Sequence, residues 1–312
     1  MAMVLAGGQG TRLGPLTAAC AKPAVPFLYG VRLIDFALAN LANSGVRDIC
    51  VVAQYQPASL VEHLDRVWTP WADREGVSLS VVLPRVGGDA RPFSGTADAV
   101  RQNMHLIEAR GAGLVAVFAA DHVYRMDVRQ MVAFHARCGA DVSIAALPVP
   151  IRSASALGVI AADEEGRIRD FQEKPARPAA MPGNPSHAFA SMGNYLFRRE
   201  ALDGLLAECD PDRDTDFGHH LLPRAVAGRR VFAYDFSTNR VPGLGLHEEH
   251  GYWRDVGTVA ALRAARRDAC GPRPRIDLAN PRWPLSPLVP GTAGGLLPRP
   301  TAAARHSVSQ EA

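Results

Sequence analysis

Between Met3 and Val149 short apolar runs alternate with stretches of helical spacing, and that alternation restricts the fold more than any single residue does. Met3 to Leu5 leads into a glycine-rich turn, Arg32 to Asn43 is spaced as a helix, Ile49 to Ala53 is a β-branched run, Pro57 to Val67 is amphipathic, and Ser78 to Leu83 reads as a strand. Thr96 to Ala109 then predicts a helix, Leu114 to Ala119 a buried strand, Asp127 to Cys138 a helix, and Val142 to Val149 a further strand. The rhythm predicts an α/β chain with a mostly parallel sheet and helices on both faces. Ligands of such sheets gather at the carboxyl ends of the strands.

From Gly158 the pieces shorten: strand-like Gly158 to Ala161 and Ile168 to Gln172, a proline-rich loop from Pro175 to Pro185, a strand from Asn194 to Phe197, and helices from Arg199 to Ala207 and Val259 to Ala269. This predicts a first half over about 1–150 and a smaller lobe over about 151–270. From Gly271 to residue 312 the chain is rich in Pro, Gly and Ala, and is expected to be a loose or disordered tail.

A chain of 312 residues, 47% hydrophobic and 21% charged, can bury a real core. Its net charge of +3, on 34 cations and 31 anions, is too balanced for a nucleic-acid binder, so small molecules are the expected partners. Cys20, Cys50, Cys138, Cys209 and Cys270 show no CxxC spacing, which suggests neither a zinc site nor a disulfide framework and fits a reducing cytoplasm. No apolar stretch reaches membrane-spanning length and no basic region precedes the first strand, so neither membrane insertion nor secretion is expected.

Against 32 arginines the chain has only two lysines, Lys22 and Lys174, each followed by Pro-Ala. An ammonium is a compact, strongly hydrated point charge that a planar guanidinium does not replace freely. Directly after the first strand, Leu5-Ala6-Gly7-Gly8-Gln9-Gly10-Thr11-Arg12-Leu13 offers glycines whose N–H groups can approach a phosphate or a base. It is no dinucleotide fingerprint, because Leu13 stands where a third glycine belongs, and no Walker loop, because no Lys-Ser/Thr closes it. Read alone it is equally an ordinary βα turn; Lys22, ten residues beyond Arg12, favours a polyphosphate site. Asp121, at the end of the buried strand, is placed to hold Mg²⁺ against phosphates, although strand-end aspartates are more often caps. Beside it His122 reads as structural. Asp255, just before the last helix, alone reads as a cap.

Taken together, LAGGQGTRL (5–13), AKPAVPF (21–27), IDFALAN (34–40), AQYQ (53–56), SGTADAV (94–100), ADHVYRMD (120–127), LPVP (147–150), EKP (173–175), ASMGNYLF (190–197), TDFG (215–218) and YWRDVGT (252–258) resemble the glucose-1-phosphate adenylyltransferases, a family of sugar nucleotidyltransferases. The resemblance implies a Rossmann-like, mixed but mostly parallel sheet flanked by helices, of the nucleotide-diphospho-sugar transferase type, with a smaller sugar-binding lobe. It implies that an NTP, ATP by family default, condenses with a hexose-1-phosphate, glucose-1-phosphate first, to give an NDP-sugar and pyrophosphate. Arg12, Lys22 and Asp121 would carry the chemistry. Leu5, Ala6, Gly7, Gly8, Gly10, Thr11, Gln54, Gly95 and Thr96 would hold the nucleotide, and Gly158, Glu173, Lys174, Ser191 and Gly193 the sugar phosphate. Asp121 and Asp255 would bind Mg²⁺.

The chain departs from the family pattern at Gln9 and Cys20, where arginines are usual, at Phe93 for tyrosine and at Ala120 for glycine. Ala19 takes the place of a lysine that binds a sugar-phosphate activator in regulated members, so that control is expected to be missing. Hexapeptide repeats of a C-terminal left-handed β-helix are also missing, which suggests the catalytic domain alone. Two alternatives follow: a cyclitol-phosphate nucleotidyltransferase of the valienol-1-phosphate type in secondary metabolism, with GTP as another donor, and a non-catalytic nucleotide- or sugar-phosphate-binding subunit. A homo-oligomer is left open.

Overall fold

The computed structural model describes residues 1–85 and 91–287. In the first half the strands are β1 (Ala2–Ala6), β2 (Asp48–Ala53), β3 (Ser78–Val82), β4 (Leu114–Ala119), β5 (His122–Tyr124) and β6 (Val142–Pro150). In the second half they are β7 (Gly158–Ala162), β8 (Ile168–Glu173), β9 (His187–Arg198), β10 (Val231–Asp235) and β11 (Trp253–Asp255). The helices are α1 (Leu33–Asn43), α2 (Pro57–His63), α3 (Thr69–Glu75), α4 (Thr96–Arg101), α5 (Met104–Ala109), α6 (Val128–Arg137), α7 (Arg199–Glu208), α8 (Leu222–Gly228) and α9 (Val259–Asp268). Among the described residues no helix is long and apolar enough to cross a membrane.

The main sheet runs β10-β6-β9-β4-β1-β2-β3, and the β7–β8 hairpin is attached through β9. β1 pairs in parallel with β2 on one side and β4 on the other, whereas β9 is antiparallel to both β4 and β6. The expected α/β sheet is therefore present, mixed and mostly parallel. Its inner strands carry near-continuous apolar runs such as Val4, Val51 and Val117 because helices cover both faces. From β1 the chain winds one way through β2 and β3, and β4 lies on the other side. The crevice beyond the carboxyl ends of β1 and β4 is thus a topological switch point, where this class of sheet binds ligands.

Three expectations change. The helix predicted over 96–109 is two, broken at Gln102–Asn103, where the Asn103 amide bonds back to Ala99 O. The strand predicted from Asn194 starts at His187 and fills the gap between β4 and β6. Consequently the second half is woven into the first: Tyr234, Phe236, Trp253 and Leu262 share one core with α1 and β1. The tail also begins later than its composition implies. Ile276, Leu278, Trp283 and Leu285 are buried, the Trp283 indole donates to Asn40 Oδ1, and Asn43 donates to Pro284 O. Residues 288–312 of the expected tail lie outside the described residues.

Candidate active site

β1 delivers the glycine loop to the switch point. Gly10 has φ 65°, and a Cβ there would lie 2.9 Å from Lys22 Cβ and 3.0 Å from Thr17 Cγ2. Only glycine lets the loop turn this close to Lys22. Gly7 and Gly8 line the cleft with Leu5 at the strand end, and Gly8 has open space over its Cα. Ala6 is buried in the sheet, and Thr11 begins an exposed 3₁₀ turn.

Lys22 rests on a short 3₁₀ turn that α2 holds in place. Ala21 N donates to Ser59 Oγ, and the Arg32 guanidinium donates to Ala24 O and Ser59 O. From there the ammonium reaches Asp121 Oδ2 at 2.7 Å and stands 3.9 Å from Asp255 Oδ1. The carboxylates come together because β5 and β11 form a two-stranded antiparallel ribbon with Asp255 opposite His122. Burial favours the neutral form of the Asp121 carboxyl, but neighbouring His122 and Lys22 outweigh it and hold the group below the usual carboxylate range. Arg12 is exposed; its Nη2 would be 2.9 Å, and Asp255 Oδ1 3.1 Å, from a Cβ on Gly257, so guanidinium and carboxylate flank that glycine. Among the described residues the Arg12 guanidinium makes no hydrogen bond or ion pair.

Asp121 and Asp255 suit a hard divalent cation. Mg²⁺ is commonly held by one or two carboxylates, with water and substrate phosphates completing its shell. Among the described residues no group of three or more His, Cys, Asp or Glu side chains could hold a metal on its own. A cation seated on these two carboxylates would take its remaining oxygens from ligand and water.

Beyond Asp121 the cleft encloses about 460 Å³. Gln54 lines it as expected, yet both arms of its amide are engaged by the Phe93 backbone, Nε2 to O at 3.1 Å and Oε1 from N–H at 2.6 Å. It shapes the wall and fixes Phe93. Gly95 and Thr96 also line the cleft, but the N–H groups of Ala97 and Asp98 donate to Thr215 O, and the Thr96 hydroxyl donates to Asp216 Oδ2. A Cβ on Gly95 would lie 2.3 Å from Thr215 O, so the glycine permits this clasp. The Asp216 carboxyl lies below its usual range: burial opposes ionisation, and bonds from the His219 N–H and the Thr96 hydroxyl overcome it.

Glu173, the last residue of β8, also lines the cleft and is ion-paired with Lys174. Its Oε2 lies over two glycines, 2.6 Å from a Cβ built on Gly218 and 3.1 Å from one on Gly158. Lys174 is exposed and left-handed, φ 46°. Gly193 lines the cleft, packs against Ala119 and His122, and donates its N–H to Ser191 Oγ.

Of the expected residues, Leu5, Gly7, Gly8, Gln54, Gly95, Thr96, Asp121, Glu173 and Gly193 line the cleft, Lys22 and Lys174 are paired with its carboxylates, and Ala6, Gly10, Thr11, Arg12, Gly158, Ser191 and Asp255 lie outside its lining. Tyr195, Asp216 and Phe217, which the sequence presents within ASMGNYLF and TDFG without a role, line the cleft too. Tyr195 and Phe217 stack with centroids 5.5 Å apart at 22°. Burial pushes the Tyr195 phenol above its ordinary value, against a hydrogen bond with Ser191. Strand alternation alone does not place Tyr195, because between Ser191 and Tyr195 the register with β6 shifts and Gly193 is left-handed, φ 71°.

The profile of the nucleotidyl transferase family matches residues 1–270. Among curated relatives, the glucose-1-phosphate adenylyltransferase of Thermodesulfovibrio yellowstonii is 44% identical over 288 residues, 92% of this chain and 70% of that protein. The Thermus thermophilus enzyme of the same name is 47% identical over 293 residues, 91% of this chain and 70% of the relative. That of Mycobacteroides abscessus is 46% identical over 292 residues, with the same two shares. The glycine loop at the switch point, the paired carboxylates and the match over 1–270 agree, and the chain belongs to the nucleotidyl transferase family.

Proposed function

We propose that this nucleotidyl transferase joins ATP to glucose-1-phosphate, giving ADP-glucose and pyrophosphate. The observation that carries the reading is one cleft lined by two carboxylates that are each ion-paired with a lysine, Asp121 with Lys22 and Glu173 with Lys174. Two phosphates that react must be brought together against their own repulsion, and a cation for each does so. The names of the relatives favour adenine and glucose.

In this reading the glycine loop holds the triphosphate by its backbone, with Arg12 and Lys22 on the phosphate oxygens. Lys174 fixes the sugar phosphate, and Glu173 accepts from sugar hydroxyls beside the Tyr195–Phe217 stack. A phosphate oxygen of the sugar attacks the α-phosphorus, the new P–O bond forms as the α,β-bridging bond breaks, and the electron pair leaves with pyrophosphate. Mg²⁺ on Asp121 and Asp255 would supply charge neutralisation at those phosphates. No side chain need become covalently bonded, so positioning and electrostatics supply the rate.

The test pairs all four common NTPs with glucose-1-phosphate, other hexose-1-phosphates and valienol-1-phosphate, in Mg²⁺, read by pyrophosphate release. We expect the highest kcat/KM with ATP and glucose-1-phosphate. Turnover confined to the cyclitol phosphate would replace the acceptor, and tight binding without release in any pairing would make the chain a binding subunit.

A further inference from the structure

Lys22 occupies an unusual place for a phosphate-binding cation: its ammonium is already bonded to Asp121 and lies close to Asp255, with its side chain only 8% exposed. We propose that Lys22 is a counter-ion lock on the metal seat, keeping a free divalent cation off both carboxylates until a polyphosphate gives the ammonium another anion. The inference rests on the reading that Asp121 and Asp255 hold the metal.

The argument is one of charge and burial. A divalent cation arriving alone must part Lys22 from Asp121 and leave a largely buried ammonium facing a second positive charge. Removing the partner of a buried ion is among the most unfavourable local changes a protein can undergo. Mg²⁺ also gives up its water reluctantly, so a seat with one of its two carboxylate charges already neutralised by Lys22 offers it less. A triphosphate alters both conditions: its oxygens accept from Lys22, which frees the carboxylates, and they supply further ligands to the metal. Arg12, beside Asp255 across Gly257 and without a hydrogen bond or ion pair among the described residues, is a second cation for those oxygens. Metal and nucleotide must then bind with positive coupling, and linkage makes the coupling reciprocal. His122, 3.7 Å from Asp121 Oδ1 and packed on Trp253, also faces that carboxylate, but among the described residues Lys22 alone is within ion-pair distance of both acids.

The test measures Mn²⁺ binding directly, by the electron paramagnetic resonance of free Mn²⁺, with and without α,β-methylene-ATP. Wild type should bind Mn²⁺ weakly alone and about tenfold or more tightly with the analogue. Lys22→Gln should bind Mn²⁺ alone about tenfold more tightly than wild type and lose most of the coupling, whereas Arg12→Gln, which removes equal charge without freeing a carboxylate, should change Mn²⁺ affinity less than about threefold. A second measurement needs no variant. The chain has only two lysines, so ¹⁵N-lysine labelling gives two side-chain resonances; Mg²⁺ alone should leave that of Lys22 in place, and Mg²⁺ with the analogue should move it. The lock is overturned if Mg²⁺ alone moves that resonance, or if Asp121→Asn abolishes Mn²⁺ binding while Lys22→Gln binds Mn²⁺ no more tightly than wild type. Unchanged Mn²⁺ binding by Asp121→Asn with the analogue present overturns the metal assignment, and the lock with it.

Discussion

Lys174 holds a conformation that its own chemistry resists. At φ 46° it is left-handed, although it carries a Cβ and precedes Pro175, which favours an extended backbone at that position. Such a residue costs about 1–3 kcal/mol, and persists where the surrounding structure over-determines it. Here the turn after β8 sets the ammonium beside Glu173 at the rim of the cleft. Lys22 is paired instead with Asp121, just past the end of β4, so the two lysines should differ in kinetics. Lys174→Ala should raise the KM for the sugar phosphate about tenfold or more and change kcat little, while Asp121→Asn should lower kcat about a hundredfold with a smaller change in KM. Steady-state kinetics with each substrate varied in turn checks the division, and equal effects on both constants in both variants contradict it. The residues legible in the sequence were those whose type announced the chemistry: rare lysines, a glycine loop, acids at strand ends. The role of Asp216 and Phe217, present in the TDFG segment, was not, because their place depends on Thr96 and Gly95, far away in sequence, and Gln54 could not be seen to be engaged by Phe93.

At the scale of elements, α4 is too short to be stable by itself, and the turn before it depends on the chain at Thr215 to Phe217. Thr215 O takes two of its first N–H groups, and the Thr96 hydroxyl bridges Asp216 Oδ2 and Phe217 N. A wall of the cleft is therefore a joint between the two halves of the chain. Gly95→Ala should break it, since a Cβ 2.3 Å from a carbonyl oxygen cannot be relieved by rotating a side chain. The expected loss is about 2–3 kcal/mol in urea unfolding, with a raised KM for both substrates. Gly8→Ala, with nothing within 4 Å of the new carbon, should leave stability unchanged, and equal stabilities for the two variants would refute the joint. Strand and helix identities up to β6 were largely legible because buried parallel strands are β-branched and their helices amphipathic. β9 was read too short because His187-Ala188-Phe189-Ala190-Ser191-Met192-Gly193 lacks strand propensity; pairing with β6 and β7 overrides it. β5 and β11 are three residues each and exist only as partners of one another.

For the whole molecule, the instructive segment is the irregular one after α9. Composition marked it as a loose tail, and residues 271–287 do lack helix and strand. Periodicity, however, reports regular secondary structure and is blind to four apolar side chains that pack without it. Ile276, Leu278 and Leu285 join the core that holds α1 and β1, and Trp283 is buried with its indole on Asn40 of α1. The consequence reaches the site through Asn40, whose Oδ1 accepts the Trp283 indole N–H and Met126 N while its amide donates to Tyr124 O. Tyr124 ends β5, the strand that follows Asp121 and pairs with β11 and Asp255. Trp283→Ala should cost about 3–5 kcal/mol, the range for emptying a large buried aromatic position. It should also weaken nucleotide-dependent Mn²⁺ binding, because Asn40 loses one of the contacts that orient it against the ribbon. Trp283→Phe should recover most of the stability and less of the metal binding, since it refills the volume without returning the N–H. Calorimetric unfolding and Mn²⁺ titration of the two variants separate the packing of this segment from its hydrogen bond. Wild-type behaviour of Trp283→Ala in both would show that neither the packing of Trp283 nor its hydrogen bond supports the site.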